Sequence, residues 1–231
     1  MSTPAPIARP PINIALVVEA KTPFSPTPEA LAAALTRQAN EHLSPAWWMP
    51  AVNVHVATSV PAGHMALVML DDADQAGALG YHDLTDAGQP IGKVFVKTTL
   101  DDGEVVSVTA SHELLEMLLD PGCATAIQAT DTAFFAFELC DPVQDKTYEI
   151  DGVAVSDFVY PAWFQGYRKP GSVQFSYLKS IDAPFALTAG GYVSMFSDGK
   201  WTQAFGGAIA KQKFNPARKR RAMRRNAHNP K

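Results

Sequence analysis

"SHELLEMLLDP", residues 111–121, decides how the rest of the chain is read. A His-Glu pair is followed by a second Glu four places after the His, and Asp120-Pro121 closes the run. Proline disfavours helical geometry in the residue before it, so a helix stops there. With Asp102-Gly103 as the start, the pattern predicts a helix over 104–119, whose first turn is weakened by the β-branched Val105, Val106 and Val108. At about 100° per residue from His112, the side chains of Glu116, Thr109, Asp120 and Glu113 fall at roughly 40°, 60°, 80° and 100°. Val106, Ala110, Met117, Leu114, Leu118, Leu115, Val108 and Leu119 cover most of the remaining circle. A helix this apolar is expected to be buried, so its imidazole and carboxylates must face water, a cleft or one another.

Two readings of that polar stripe stay open. Side chains four apart on a helix are neighbours, which lets His112 and Glu116 grip one cation while Glu113 stands beside it as a general base. Alternatively, His112, Glu113, Glu116 and Asp120 line a solvated face.

Working outward, residues 1–11 are Pro-rich and apolar without period, and read as an extended arm. "INIALVVEA" (12–20) is a buried-strand candidate. Thr27 caps a helix with Pro28 in its first turn, predicted to run to about Leu43. "VNVHVATS" (52–59) alternates as a half-buried strand does, and "HMALVML" (64–70) and "GKVFVKTT" (92–99) are further strands. After the 104–119 helix the pattern changes to strand-and-turn material in "DTAFFAFELCD", "KTYEIDGVAVSDFV", "QFSYLKS" and "GGYVSMFSDGKWTQAF", with Ser197-Asp198-Gly199 as a hairpin turn. The order β-α-β-β-β-α followed by strands and loops implies an α+β fold, a mixed twisted sheet with two packed helices and a strand- and loop-rich C-terminal half.

At 231 residues and 47% hydrophobic composition the chain can bury a full core, which excludes a disordered protein. No apolar run reaches membrane-span length, so no membrane partner is expected, and prolines interrupt the N-terminus where a signal peptide needs continuous apolar residues. A cytoplasmic location is therefore expected, or a virion if the gene is a phage's. Cys123 and Cys140, the two cysteines, match no zinc knuckle or redox pair and read as buried thiols.

The stretch 77–121, with its exposed edge strand, short loop and His-Glu-x-x-Glu helix, resembles the zincin metallopeptidases in plan, and the preceding β-α-β-β-β order is similar to a zincin N-terminal subdomain. The resemblance covers about residues 12–121 and lies in element order and one motif. It implies a single domain over 12–210, divided near 121/122, and a metal-dependent hydrolase with His112 as first ligand, Glu113 as catalytic base and Glu116 standing where a zinc peptidase has its second His. The third ligand of one zincin branch would fall on Gly122, which has no side chain to coordinate. Glu138 in "FAFELCDP" is then the candidate third ligand, with Asp141 as its outer-shell support or replacement and Asp120 as a competitor whose structural role is to end the helix. One imidazole with two carboxylates is a harder site than two imidazoles with one. It takes Zn first but tolerates Mn, Ca or Fe, and it polarises water less, so a degenerate, metal-free scaffold is also consistent with the resemblance. The chain is similar as well to a group of bacterial and phage proteins sharing a His-Glu-Leu-Leu-Glu helix and a later Glu-x-Cys-Asp-Pro, here 138–142; that similarity implies no activity.

The remaining residues of chemical interest read as structural first. His55, His64 and His42 belong to a strand, a loop and a helix end; His82, just before the expected edge strand, is within reach of the cleft but is placed with them. Tyr148 and Tyr160 line a substrate groove or, with Trp163, fill the core. Residues 211–231 hold nine of the nineteen basic residues and no acid, leaving ten basic against 23 acidic residues in 1–210. Arg218, Lys219, Arg220, Arg221, Arg224 and Arg225 form the densest part of this tail, which suits an acidic protein surface or a nucleic-acid backbone without sequence preference. Beside the hydrolase stands the expectation of a structural subunit of a large assembly such as a phage virion, docking on protein neighbours through its terminal arms.

Overall fold

The structure, a computed structural model, describes residues 9–75 and 78–207. Most of the proposed N-terminal arm and all of the basic tail, including Arg218–Arg225, lie outside the described residues.

The first half is a five-stranded sheet with helices on one face. Strand β1 (Ile12–Val18) leads to α1 (Pro28–Arg37), where the Thr27 hydroxyl accepts a hydrogen bond from the Ala30 amide and Pro28 fills the first turn. The helix then widens into a π-helical turn over Gln38–Leu43 and finishes as α2 (Ser44–Trp47), one turn beyond the expected end. Strands β2 (Val52–Ala57) and β3 (Met65–Leu70) follow, then β4 (Gly80–Leu84) and β5 (Pro90–Phe95). Their order is β2-β1-β3-β5-β4, with β1, β2, β3 and β5 parallel and β4 antiparallel to β5. The edge strand is thus β4, inside the polar stretch, and the apolar "GKVFV" segment is an inner strand. Its expected tail instead turns into the short helix α3 (Val96–Asp101).

Helix α4 (Val106–Leu119) carries the opening motif, and eleven of its fourteen residues are buried, as its apolar circumference requires. On β1, Ile14 and Leu16 point into the main core with Leu31, Leu35, Leu114 and Met117, whereas Ala15 and Val17 pack with Ala66 and Val68 on the opposite face. Burial on both faces is why this strand reads as a continuous apolar run. Each fully buried aliphatic side chain contributes about 1.5–3 kcal/mol, so this layer dominates the stability of the half.

Beyond α4 the chain is built from strands and loops. Strands β6 (Ala126–Gln128) and β7 (Ala133–Ala136) pair with β10 (Tyr192–Ser197) and β11 (Lys200–Phe205) in an antiparallel sheet of order β11-β10-β7-β6, and β8 (Thr147–Ile150) with β9 (Val153–Ser156) makes a separate hairpin. The hairpin turns are Asp151-Gly152 and Asp198-Gly199, both residues of each pair at positive φ, as two-residue turns matched to strand twist demand. The "QFSYLKS" segment, expected as a strand, contributes only the single pairing of Ser176 with Val159. One apolar cluster runs from Ile14 through Leu114, Phe158, Trp163 and Phe175 to Val193, joining both halves of this α+β fold. No helix among the described residues is long and apolar enough to cross a membrane.

Candidate metal centre

The orientation of α4 is fixed by a buried polar knot. The Ser111 hydroxyl donates to Gln38 Oε1 at 2.8 Å and accepts from the Ser156 amide at 3.0 Å, while the Gln38 amide donates to the Ser156 carbonyl at 3.0 Å. Gln38 opens the π-helical turn of the α1–α2 run, so that irregular turn, α4 and β9 are locked together. Residues next to Ser111 are thereby turned away from β9, toward β4 and the 137–141 segment.

Strand β4 approaches the helix unusually closely. A Cβ placed on Gly80 would lie 2.8 Å from Glu113 Cγ and 2.9 Å from Thr109 Cγ2, so only glycine fits there. Two residues on, and so on the same face of the strand, His82 enters the space beneath α4. The Cys123 thiol donates to the His82 carbonyl at 3.1 Å and ties the loop after α4 to this strand.

Four carboxylates and two imidazoles meet at this junction. Nε2 of His112 lies 3.2 Å from Glu116 Oε1 and 3.1 Å from Asp141 Oδ1. Nδ1 of His82 lies 3.7 Å from Glu113 Oε2 and 3.8 Å from Glu116 Oε2, and its Nε2 lies 3.8 Å from Glu138 Oε2. The Cys140 amide donates to Glu116 Oε1 at 3.2 Å. His82, Glu116 and Asp141 are fully buried, Glu138 is 2% and Glu113 4% exposed, and only His112 keeps a modest opening. His112, Glu113 and Glu116 of the α4 polar stripe therefore face neither bulk water nor an apolar wall but other ionisable groups.

Electrostatics follow from that enclosure. Burial opposes a charged His112, yet the carboxylates of Glu116, Asp141 and Glu113 outweigh it and hold the imidazole pKa well above its ordinary value. Burial likewise opposes charge on His82, and Glu138, Cys123 and Glu113 raise its pKa well above the usual range. The Cys140 thiol is pushed far up by burial and by the neighbouring carboxylates of Glu116 and Asp141, so it stays protonated near neutral pH.

The sequence-derived candidates separate into distinct places. His112, Glu113, Glu116, Glu138 and Asp141 come together, with Asp141 facing His112 and Glu138 facing His82. Asp120 accepts from the amides of Ala124 and Thr125 and from the Thr125 hydroxyl, closing the loop after the helix. The Tyr148 hydroxyl accepts from Gln38 and lies 2.9 Å from His42 Nδ1, in an aromatic group with Tyr177. Tyr160 packs near Phe158, and Trp163 is core, donating to the Ala186 carbonyl. Cys140 is buried and Cys123 half-buried, both as free thiols. His82 is the site residue that the sequence reading set aside as structural; its signal was its place in "GYHDL" just before the expected edge strand, and that signal becomes decisive only once β4 is known to lie under α4.

The donors fit a divalent cation. Two sets, His112 with Glu116 and Cys140, and His82 with Glu113 and Glu116, each bring their ligand atoms within 4.8 Å of one another. Donors around a tetrahedral metal with bonds of about 2.0–2.2 Å stand roughly 3.3–3.6 Å apart, and the contacts of 3.1–3.8 Å seen here bracket that spacing. Both ring nitrogens of His82 are buried with no hydrogen-bond partner among the described residues, as expected of a side chain held for something other than a protein hydrogen bond. No family model matches the chain, and no curated protein or solved structure matches it.

Proposed function

We propose that the chain is a zincin-like metal-dependent hydrolase whose cation is held by His112, Glu116 and Asp141, with Glu113 as general base. The observation that carries this reading is the convergence, on one buried volume, of the His-Glu-x-x-Glu face of α4 with Asp141 at 3.1 Å from His112. Support for the zincin-type plan comes from the strand order β2-β1-β3-β5-β4, which puts an antiparallel edge strand beside the helix that carries the motif. Asp141 takes the third-ligand role first considered for Glu138, because it is the carboxylate beside His112. A divalent cation held there supplies Lewis acidity toward water and a substrate carbonyl. Imidazole and carboxylate donors suit Zn, Mn or Fe. The chain's own part is to hold that cation, to exclude bulk water through the buried carboxylates, and to accept the proton of the attacking water on Glu113.

The test combines metal content with turnover. His112→Ala is expected to lose the bound cation, and Glu113→Gln to keep the cation at His112 while hydrolysis of a mixed fluorogenic peptide pool disappears. A purified wild-type chain that retains no divalent cation at neutral pH overturns the proposal.

A second reading is favoured by the near-complete enclosure of the carboxylates. Structural metal sites are closed, whereas catalytic ones keep an open position. On this reading the cation is a staple in a subunit of a larger assembly, such as a virion, with the basic tail docking on an acidic protein neighbour or on nucleic acid. It predicts that chelation lowers the melting temperature, that no peptide is cleaved, and that removal of residues 211–231 blocks assembly while leaving the fold intact.

A further inference from the structure

We infer that the centre holds two cations, not one, bridged by the carboxylate of Glu116. This rests on the proposed function for the first position and adds a second, bounded by His82 Nδ1, Glu113 Oε2 and Glu116 Oε2.

The donor atoms fall into two sets that share one residue. Glu116 turns Oε1 toward His112 at 3.2 Å and Oε2 toward His82 at 3.8 Å, so each oxygen serves a different imidazole. A carboxylate in that pose bridges two ions, and two-metal hydrolytic sites keep theirs about 3.5–4 Å apart.

His82 supplies an independent observation. It is completely buried, and neither ring nitrogen has a hydrogen-bond partner among the described residues. An imidazolium held by carboxylates alone would be drawn to charge-assisted hydrogen-bond length, about 2.7–2.9 Å. The observed 3.7 and 3.8 Å gaps on the Nδ1 side exceed that by nearly 1 Å and lie just above the roughly 3.3–3.6 Å spacing of donors around a shared ion. On the other side of the ring, Glu138 Oε2 faces Nε2 at 3.8 Å, beyond hydrogen-bond length but on the side from which a carboxylate orients a metal-bound histidine.

Charge points the same way. Glu113, Glu116, Glu138 and Asp141 give this buried cluster a formal charge of −4 with both imidazoles neutral. Buried charge must be matched locally. Two divalent ions match it in full, whereas one ion at His112 with His82 protonated leaves one negative charge unmatched. The mixture of imidazole nitrogen and carboxylate oxygen selects first-row divalent transition metals over Ca²⁺ or Mg²⁺. Glu113 then gives one oxygen to the second ion and keeps the other for the proton of the attacking water.

The test uses the full chain, stripped with chelator and titrated with Mn²⁺ or Co²⁺ by calorimetry, with metal content checked after dialysis. Wild type is expected to take two equivalents, and its Mn²⁺ form to show the spin-coupled resonance of an ion pair. His82→Ala and His82→Gln are expected to take one equivalent with an isolated-ion resonance, and Glu138→Gln to weaken the second equivalent 10–100-fold. A wild type that binds one equivalent, lost in His112→Ala and unchanged in His82→Ala, overturns the second position and leaves the proposed function standing. A wild type that binds none overturns both. The wild-type stoichiometry alone decides the matter if the His82 variants do not fold.

Discussion

Nε2 of His112 lies 3.2 Å from Oε1 of Glu116, one helical turn further along α4, in a volume that water barely enters. The same pair on a solvated helix would contribute a few tenths of a kcal/mol. Enclosed with Asp141, Glu113 and His82, it becomes the axis of the candidate centre, and the predictions below follow from that enclosure and from what holds it in place.

Glu116→Gln keeps the side-chain volume and removes the charge that both imidazoles face. Cation affinity is expected to fall at least 100-fold, read by calorimetry against chelator-stripped wild type. The variant should also lose the metal-dependent rise in melting temperature, which for a ligand at 100 times its Kd corresponds to about 2.7 kcal/mol. Equal affinity in the two proteins would show that Glu116 is not a ligand.

Gly80→Ala tests whether close contact between β4 and α4 builds the site. The added methyl would lie 2.8 Å from both Glu113 Cγ and the Lys93 carbonyl, so strand and helix must part. Overpacking of this kind costs about 1–3 kcal/mol. Denaturant unfolding should show that loss together with weakened metal binding; a variant of wild-type stability would mean that the strand yields freely there.

Ser111→Ala removes the hydroxyl that both donates to Gln38 and accepts from Ser156. Two buried polar partners lose a bond, which costs about 1–3 kcal/mol in equilibrium unfolding. Because the knot sets the rotation of α4, hydrolysis by the metal-loaded chain is expected to fall as well, although Ser111 touches none of the cluster's carboxylates through these bonds.

Asp71 gives the pH dependence. Its carboxylate accepts from the amides of Lys21 and Thr22 at 2.9 Å, and these bonds, with the Thr22 hydroxyl, hold its pKa below the ordinary aspartate value. A group whose folded pKa is lowered adds stability that is present above its unfolded pKa and lost as pH falls through the folded one. Wild type should therefore exceed Asp71→Asn in melting temperature at pH 6, and the difference should vanish as pH drops well below 3.8. A difference that persists unchanged at pH 2 would contradict the assignment.

Much of this architecture is local and so was legible in the residues. Thr27-Pro28 starts α1, Asp120-Pro121 stops α4, Asp198-Gly199 turns β10 into β11, and the apolar circumference of "SHELLEMLLDP" required a buried helix. These are short-range steric and hydrophobic rules, satisfied by neighbours in sequence. The edge position of β4 was not legible, because "GYHDL" carries polar groups on a strand whose buried side faces carboxylates instead of an apolar core.

The sequence by itself determined that His112, Glu113 and Glu116 share one side of a helix, since helical periodicity admits no other arrangement. Only the tertiary structure decided what they face. His82, Glu138 and Asp141 arrive from a strand and a loop whose approach depends on Gly80 having no side chain and on the Ser111–Gln38 knot fixing the turn of the helix. Long-range packing of this kind leaves no period in the residues, because it is set by the fit of elements distant in the chain.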